Sequence, residues 1–269
     1  MTIESSLRRE LIQYLKRIDA RGWVANHDGN VSCRVSAGRF LATPTGMAKI
    51  DITEQDLIVV DIEGTVIRGQ KRIFSEWILH RTVYESRPEV NAVVHAHSPF
   101  ATALGSAGGT LPHPFLPEAV VSLGPQIPSV PLTMPGQPAA DALRSALDIG
   151  QSCLIEGNGS LAWGRELEQA YLRMELVEHL ARIAQLAQPS GGVKRLPEDM
   201  ITLLVKKHVS AGLAAPSVAR NAEGVHTVDL AEKVGRQLAV NAVSLPSDEL
   251  AAMITAVTSH TLDELKNEK

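Results

Sequence analysis

Arg87-Pro88-Glu89-Val90-Asn91-Ala92-Val93-Val94-His95-Ala96-His97-Ser98-Pro99 decides the fold. Pro88 disfavours helix at the residue before it, so the helical pattern of residues 75–86 ends there. Ala92–His95 reads as a short buried strand, and Ser98-Pro99 opens another helix, because proline suits a first helical turn. Helix, buried strand and helix in one short stretch give a mixed α/β protein.

Outward from this centre, Leu7, Leu11, Ile12, Leu15 and Ile18 form one helical face in residues 4–20, with Gly22 as its stop. Strand patterns follow at residues 31–35, 39–43 and 57–61, and Ile62-Glu63-Gly64-Thr65-Val66 reads as a hairpin turn. Towards the C-terminus, the proline-rich residues 108–138 allow only short regular structure. A helix over 138–147, strands at 152–155 and 160–163, and a long helix over 165–187 complete the pattern. Helices and strands do not alternate strictly. A mixed or antiparallel sheet is therefore expected over a purely parallel one. Residues 1–192 form the expected α/β domain. Residues 193–269 form an expected helical extension, with helices near 197–210, 227–242 and 247–266.

The 269 residues carry a formal net charge of −4, which argues against a nucleic-acid partner. Nothing in them reads as a signal peptide or a membrane span, so a cytoplasmic location is expected. Cys33 and Cys153 fall inside strand patterns and read as buried packing residues.

His95-Ala96-His97 is the sharpest chemical feature. On an extended backbone residues i and i+2 share a face, so two imidazoles can grip one metal ion; equally, they can merely end a strand. Glu76 follows Ser75, a reasonable N-cap, and a carboxylate at a helix start is favoured by the dipole. The functional reading is a general acid/base or a further metal ligand. The turns at Gly29-Asn30 and Thr43-Pro44-Thr45-Gly46 can form an anion nest, or be turns only. Asn158, between Gly157 and Gly159, reads as a left-handed turn. His27, His80 and His113 read as structural.

Taken in order, Gly29-Asn30-Val31-Ser32, Thr43-Pro44-Thr45-Gly46, Ser75-Glu76 with His80, residues 87–97, and Gly159-Ser160-Leu161-Ala162-Trp163-Gly164 resemble the class II aldolase/adducin family, typified by L-fuculose-phosphate aldolases. The similarity covers about residues 5–190. It implies a three-layer α/β/α sandwich with a largely antiparallel central sheet, and a homotetramer with sites between subunits. His95 and His97 match two of the family's three histidine ligands, and Glu76 its acid/base, which can also touch the metal. Gly29, Asn30, Thr45, Gly46 and Ser75 match its phosphate cradle. The implied cofactor is one divalent metal per subunit, zinc in the aldolases and manganese or another divalent ion in relatives. The implied reaction cleaves or forms a small phosphorylated ketose through a metal-stabilised enediolate. A decarboxylase of the same fold and a non-catalytic adducin-like scaffold are the alternatives.

Three positions depart from the family pattern. Asn158 stands where the third histidine is expected, which weakens or replaces that ligand. Phe74 stands where the aldolases often have a second phosphate-binding serine. The neighbouring-subunit tyrosine has no match in residues 111–124, where Phe115 and Glu118 are the notable residues. Finally, Leu250, Met253, Ile254, Val257, Thr261 and Leu265 form an amphipathic stripe. It resembles helices that dock enzymes to bacterial microcompartment shells, against the alternative of a packing or oligomer-forming helix.

Overall fold

The computed structural model describes residues 3–221. The expected helices over residues 227–242 and 247–266, including the stripe beginning at Leu250, lie outside the described residues. The chain divides into two compact units, Met1–Val218 and Ala219–Lys269. The first unit takes in the helix expected over 197–210.

Eight strands form one sheet: β1 (Asn30–Ser36), β2 (Arg39–Ala42), β3 (Ile58–Val60), β4 (Val66–Arg68), β5 (Ala92–Ala96), β6 (Ser129–Val130), β7 (Ser152–Ile155) and β8 (Ser160–Gly164). Their spatial order is β4-β3-β2-β1-β5-β8-β7-β6. Every pairing is antiparallel except β6 with β7. The mixed, largely antiparallel sheet is the one expected.

Helices cover both faces. They are α1 (Ile3–Ala20), α2 (Trp77–Ser86), α3 (Pro99–Ser106), α4 (Pro117–Leu123), α5 (Gln137–Ile149), α6 (Leu167–Ala187) and α7 (Glu198–Ser210). On one face Val31, Cys33, Leu41, Ala92, Val94 and Ala162 pack with Leu11 and Leu15 of α1 and Met174 of α6. On the other, Phe40, Val60, Val93, Leu161 and Trp163 pack with Val83 of α2 and Leu143 of α5. The period-2 alternation of each strand thus feeds two cores, which is the physical basis of three layers. Cys33 and Cys153 are buried packing residues, as expected.

The stretch around β5 behaves as its sequence dictates, with one exception at its end. Ser98 is the N-cap of α3 but makes no side-chain capping bond. Instead, the buried Glu178 of α6 accepts hydrogen bonds from the Phe100 and Ala101 amides at 3.0 and 2.8 Å. A carboxylate at a helix N-terminus meets both the dipole and the unpaired amides. This contact ties α3 to α6 just beyond His97.

Candidate active site

Alternation along β5 puts Val94 and Ala96 in the α1/α6 core, so Val93 and His95 face α2. On β1, which pairs with β5, Asn30 lies directly opposite His95. Asn30 and Ser32 face α2 by the same rule. Ser32 Oγ lies 2.7 Å from His80 Nδ1 and 2.8 Å from the Tyr84 hydroxyl. His80 is fully buried, and burial together with the nearby charge of His95 pulls its pKa down to about 3. It is a neutral packing residue, as its sequence setting suggests.

Glu76 stands where these elements converge. Ser75, the expected N-cap of α2, lies one residue outside. Glu76 takes the N-cap position, yet its carboxylate makes no capping bond. Forgoing a side-chain cap costs about 0.5–2 kcal/mol, and the carboxylate turns into the site instead. Its Oε2 accepts from Asn30 Nδ2 at 2.8 Å and lies 3.0 Å from His95 Nδ1. Its Oε1 accepts from Asn158 Nδ2 at 2.7 Å. Burial alone would raise the Glu76 pKa. The charge of His95, with the hydrogen bonds from His95, Asn158 and Asn30, outweighs burial and holds the carboxyl well below the usual range. Burial would lower the His95 pKa, but the Glu76 carboxylate and the Asn158 carbonyl, 2.8 Å from Nε2, raise it.

The left-handed turn expected around Asn158 is made by its neighbours Gly157 and Gly159, at φ 66° and 74°, and not by Asn158 itself. A Cβ on Gly159 would sit 2.3 Å from the Ala96 carbonyl oxygen and 3.0 Å from His97 Cα. Only glycine lets the β7–β8 turn approach the end of β5 this closely. That approach delivers Asn158 to both Glu76 and His95. Gly29, at φ 70°, likewise lies against the end of β5, 3.1 Å from the His95 carbonyl oxygen when given a Cβ.

His97 stands beyond the end of β5. Its ring centroid is 5.2 Å from that of His95, and its Nδ1 lies 3.4 Å from Asp28 Oδ2. Burial and the His95 charge lower its pKa against the pull of Asp28 and Glu76. Asp28 was not legible as a site residue. Its other oxygen, Oδ1, accepts from the Ala25 amide, the ordinary work of an aspartate in a turn. Its position just before Gly29-Asn30 was the available signal.

The expected convergence is thus uneven. Glu76, His95, Asn30 and Asn158 form one hydrogen-bonded group, while His97 pairs with Asp28. Among the described residues no three His, Cys, Asp or Glu side chains are gathered as a ready metal cage. The donor types do suit a divalent cation: two imidazoles and a carboxylate, with the buried Asn30 Oδ1 lacking a partner among the described residues. Thr45, Gly46 and Ser75 are exposed. The Thr45 amide bonds the Arg72 carbonyl and Pro44 bridges Ile73, bringing this turn beside the segment that leads to Ser75.

A mixed sheet between two helical layers, with a carboxylate–imidazole centre at the ends of β1 and β5, defines the class of protein. Residues 9–185 match the family described as Class II Aldolase and Adducin N-terminal domain, and the chain belongs to that family. It is 28% identical over 207 residues to the 5-deoxy-D-ribulose 1-phosphate aldolase of Bacillus thuringiensis serovar kurstaki, covering 76% of this chain and 96% of that protein. It is 33% identical over 187 residues to the 3-oxo-tetronate 4-phosphate decarboxylase of Escherichia coli K12, covering 67% and 87%. A solved L-fuculose 1-phosphate aldolase superposes with a TM-score of 0.69 at 28% identity, covering 76% of this chain and 96% of that one. The expected kinship, fold and lyase class are borne out, and the family is generally dependent on a divalent metal.

Proposed function

We propose that this protein cleaves, and in reverse forms, a small phosphorylated ketose by divalent-metal-dependent aldol chemistry. The observation that carries this reading is Glu76. It is an ionised, half-buried carboxylate freed from helix capping, held by Asn30 and Asn158, and set against His95. Such a group can carry a proton at Oε1 or Oε2 while its neighbours keep it in place. In cleavage the carbinol hydroxyl loses its proton and becomes the aldehyde. The broken C–C bond leaves its electron pair on the carbon next to the carbonyl, and that carbon finally gains a proton. Glu76, ionised at the outset, accepts the carbinol proton and returns it to that carbon, so the proton count closes on one carboxylate.

His95, His97 and Glu76 would hold the cation, with Asn158 in place of a third imidazole. Zinc heads the candidates, and manganese is favoured if oxygen donors complete the set. A divalent cation there supplies Lewis-acid stabilisation of the negative charge left by bond cleavage. Gly29, Asn30, Thr45, Gly46 and Ser75 would bind the phosphate through amides and hydroxyls. A cytoplasmic homotetramer, with the stripe in residues 247–266 serving either oligomer packing or docking to a microcompartment shell, completes the proposal. No helix among the described residues is long and apolar enough to cross a membrane.

Decarboxylation is the second reading, favoured by the 33% identity to a decarboxylase. It leaves the same kind of electron-rich carbon. Incubating metal-supplemented protein with ketose 1-phosphates and with 3-oxo acid phosphates separates the two. Aldehyde and dihydroxyacetone phosphate support the first, and carbon dioxide the second. Loss of turnover in Glu76→Gln is expected for either, and an active Glu76→Gln enzyme rejects both. An inert protein with every substrate leaves the adducin-like scaffold.

A further inference from the structure

The β1–β2 hairpin opens into two turns, and one buried lysine joins them. The last rung of the ladder lies between Val31 and Thr43. The Thr43 amide donates to the Val31 carbonyl at 3.0 Å, and the Val31 amide donates to Thr43 Oγ1 at 3.2 Å. Beyond that rung the strands part. One side becomes the turn before β1, closed by the Asp28 amide on the Ala25 carbonyl and by the Ala25 amide on Asp28 Oδ1. The other becomes the turn after β2. Each holds a left-handed glycine, Gly29 at φ 70° and Gly46 at φ 72°. Lys49 Nζ donates to the His27 carbonyl of the first turn and to the Met47 carbonyl of the second, each at 3.0 Å.

Lysines are almost never fully buried unless paired, yet Lys49 is 3% exposed and its bonds go to carbonyls. Burial lowers its pKa and the nearby Asp28 raises it. The Asp28 oxygens are themselves committed to the Ala25 amide and to His97. A methionine would fill the same space without desolvating a charge, so packing alone does not ask for an ammonium here. Resting on the assignment of phosphate to these turns, we infer that Lys49 is a positioning residue for anion binding. Through the His27 and Met47 carbonyls it holds Gly29-Asn30 and Thr45-Gly46 in one arrangement, and its charge favours a phosphate between them. Backbone amides bind an anion well only when their directions are fixed beforehand. Thr45 and Gly46 are exposed, and a Cβ on Gly46 would meet nothing within 4 Å, so this turn keeps an open side for a ligand. Lys49 is buried, and acts through the backbone without touching the phosphate.

The test titrates inorganic phosphate into the protein as purified, by calorimetry. Lys49→Met keeps the length of the stem and removes the charge and the donors. Its phosphate affinity should fall about 10-fold, the worth of one charge-assisted contact. On a ketose phosphate its KM should rise by the same factor with kcat nearly unchanged, because the lost binding is common to ground state and transition state. Zinc affinity should hold, which separates this effect from a general loosening of the site. Lys49→Arg, which restores charge and donors, should recover most of the loss. Lys49→Gln, a donor without the charge, is read in the same way where Lys49→Met does not fold. A folded variant that binds phosphate as the parent does overturns the inference, as does an equal fall in zinc affinity. A parent protein that binds no phosphate removes both the phosphate assignment and this inference. Phosphate binding that depends on Lys49, without turnover of any ketose or 3-oxo acid phosphate, leaves the inference standing and removes the catalytic reading instead.

Discussion

Asn158 donates its side-chain amide to Glu76 Oε1 at 2.7 Å, while its main-chain carbonyl lies 2.8 Å from His95 Nε2. One residue therefore steadies both the carboxylate and the imidazole of the centre. It does so from the position at which the family pattern expects a histidine. Asn158→His exchanges a neutral amide for a stronger nitrogen donor. Zinc affinity, measured by titration against a chelating dye, should rise at least about 10-fold. Unchanged affinity would mean that residue 158 does not face the cation.

Glu76→Gln keeps the size of the side chain and removes its charge and its capacity to take a proton. We expect kcat to fall by about 100- to 10,000-fold, the usual worth of a positioned acid/base, with KM changed far less. A steady-state comparison on the ketose phosphate checks this. A drop confined to KM would assign Glu76 to binding alone.

Asp28 acts through His97, whose Nδ1 lies 3.4 Å from its carboxylate. Asp28→Asn retains an acceptor for the Ala25 amide while removing the charge. Carboxylates behind a metal-binding imidazole are worth about 10- to 100-fold in metal affinity. A loss in that range, with an unchanged melting temperature, is expected from metal titration and thermal scanning.

His80 makes stability depend on pH. Its folded pKa of about 3 lies below the ordinary value of 6.5 that the unfolded chain restores. Between these values the unfolded state binds more protons. The contribution of His80 is therefore complete above about pH 6.5 and is lost progressively towards pH 3, at no more than about 1.4 kcal/mol per pH unit. Glu76 and His95 also face this region, and Ser32 and Tyr84 share its hydrogen bonds. His80→Asn keeps a polar group beside Ser32 but does not titrate. Its melting temperature should vary less than that of the parent between pH 4 and 6.5.

The sheet and its two helical layers were readable because alternation in strands such as Ala92–Ala96 is a local signal repeated along the chain. Glu76, His95 and Asn30 were readable as candidate site residues from residue type and family spacing, and the structure brings these three together. What sequence could not convey was pairing across space. Ser75 looked like a better cap than Glu76, because local propensity takes no account of a carboxylate held by Asn30 and Asn158. Asn158 looked like part of a left-handed turn, and the two glycines beside it make that turn, but its hold on Glu76 and His95 could not be read from the turn. Asp28 looked like a turn residue and is one, with a second oxygen left for His97. Lys49 joins the carbonyls of His27 and Met47, a pairing that no local pattern spans.

The direct pairing of Asn30 with His95 across β1 and β5 has a consequence for folding as well as for chemistry. Because side chains alternate, a slip of one residue in this ladder would turn either Asn30 or His95 towards α1 and α6. Glu76 would then lose a partner although every strand could still be present. Turnover consequently serves as an assay of strand alignment. In refolded material, the specific activity should count the correctly aligned molecules, where circular dichroism would count the misaligned ones too.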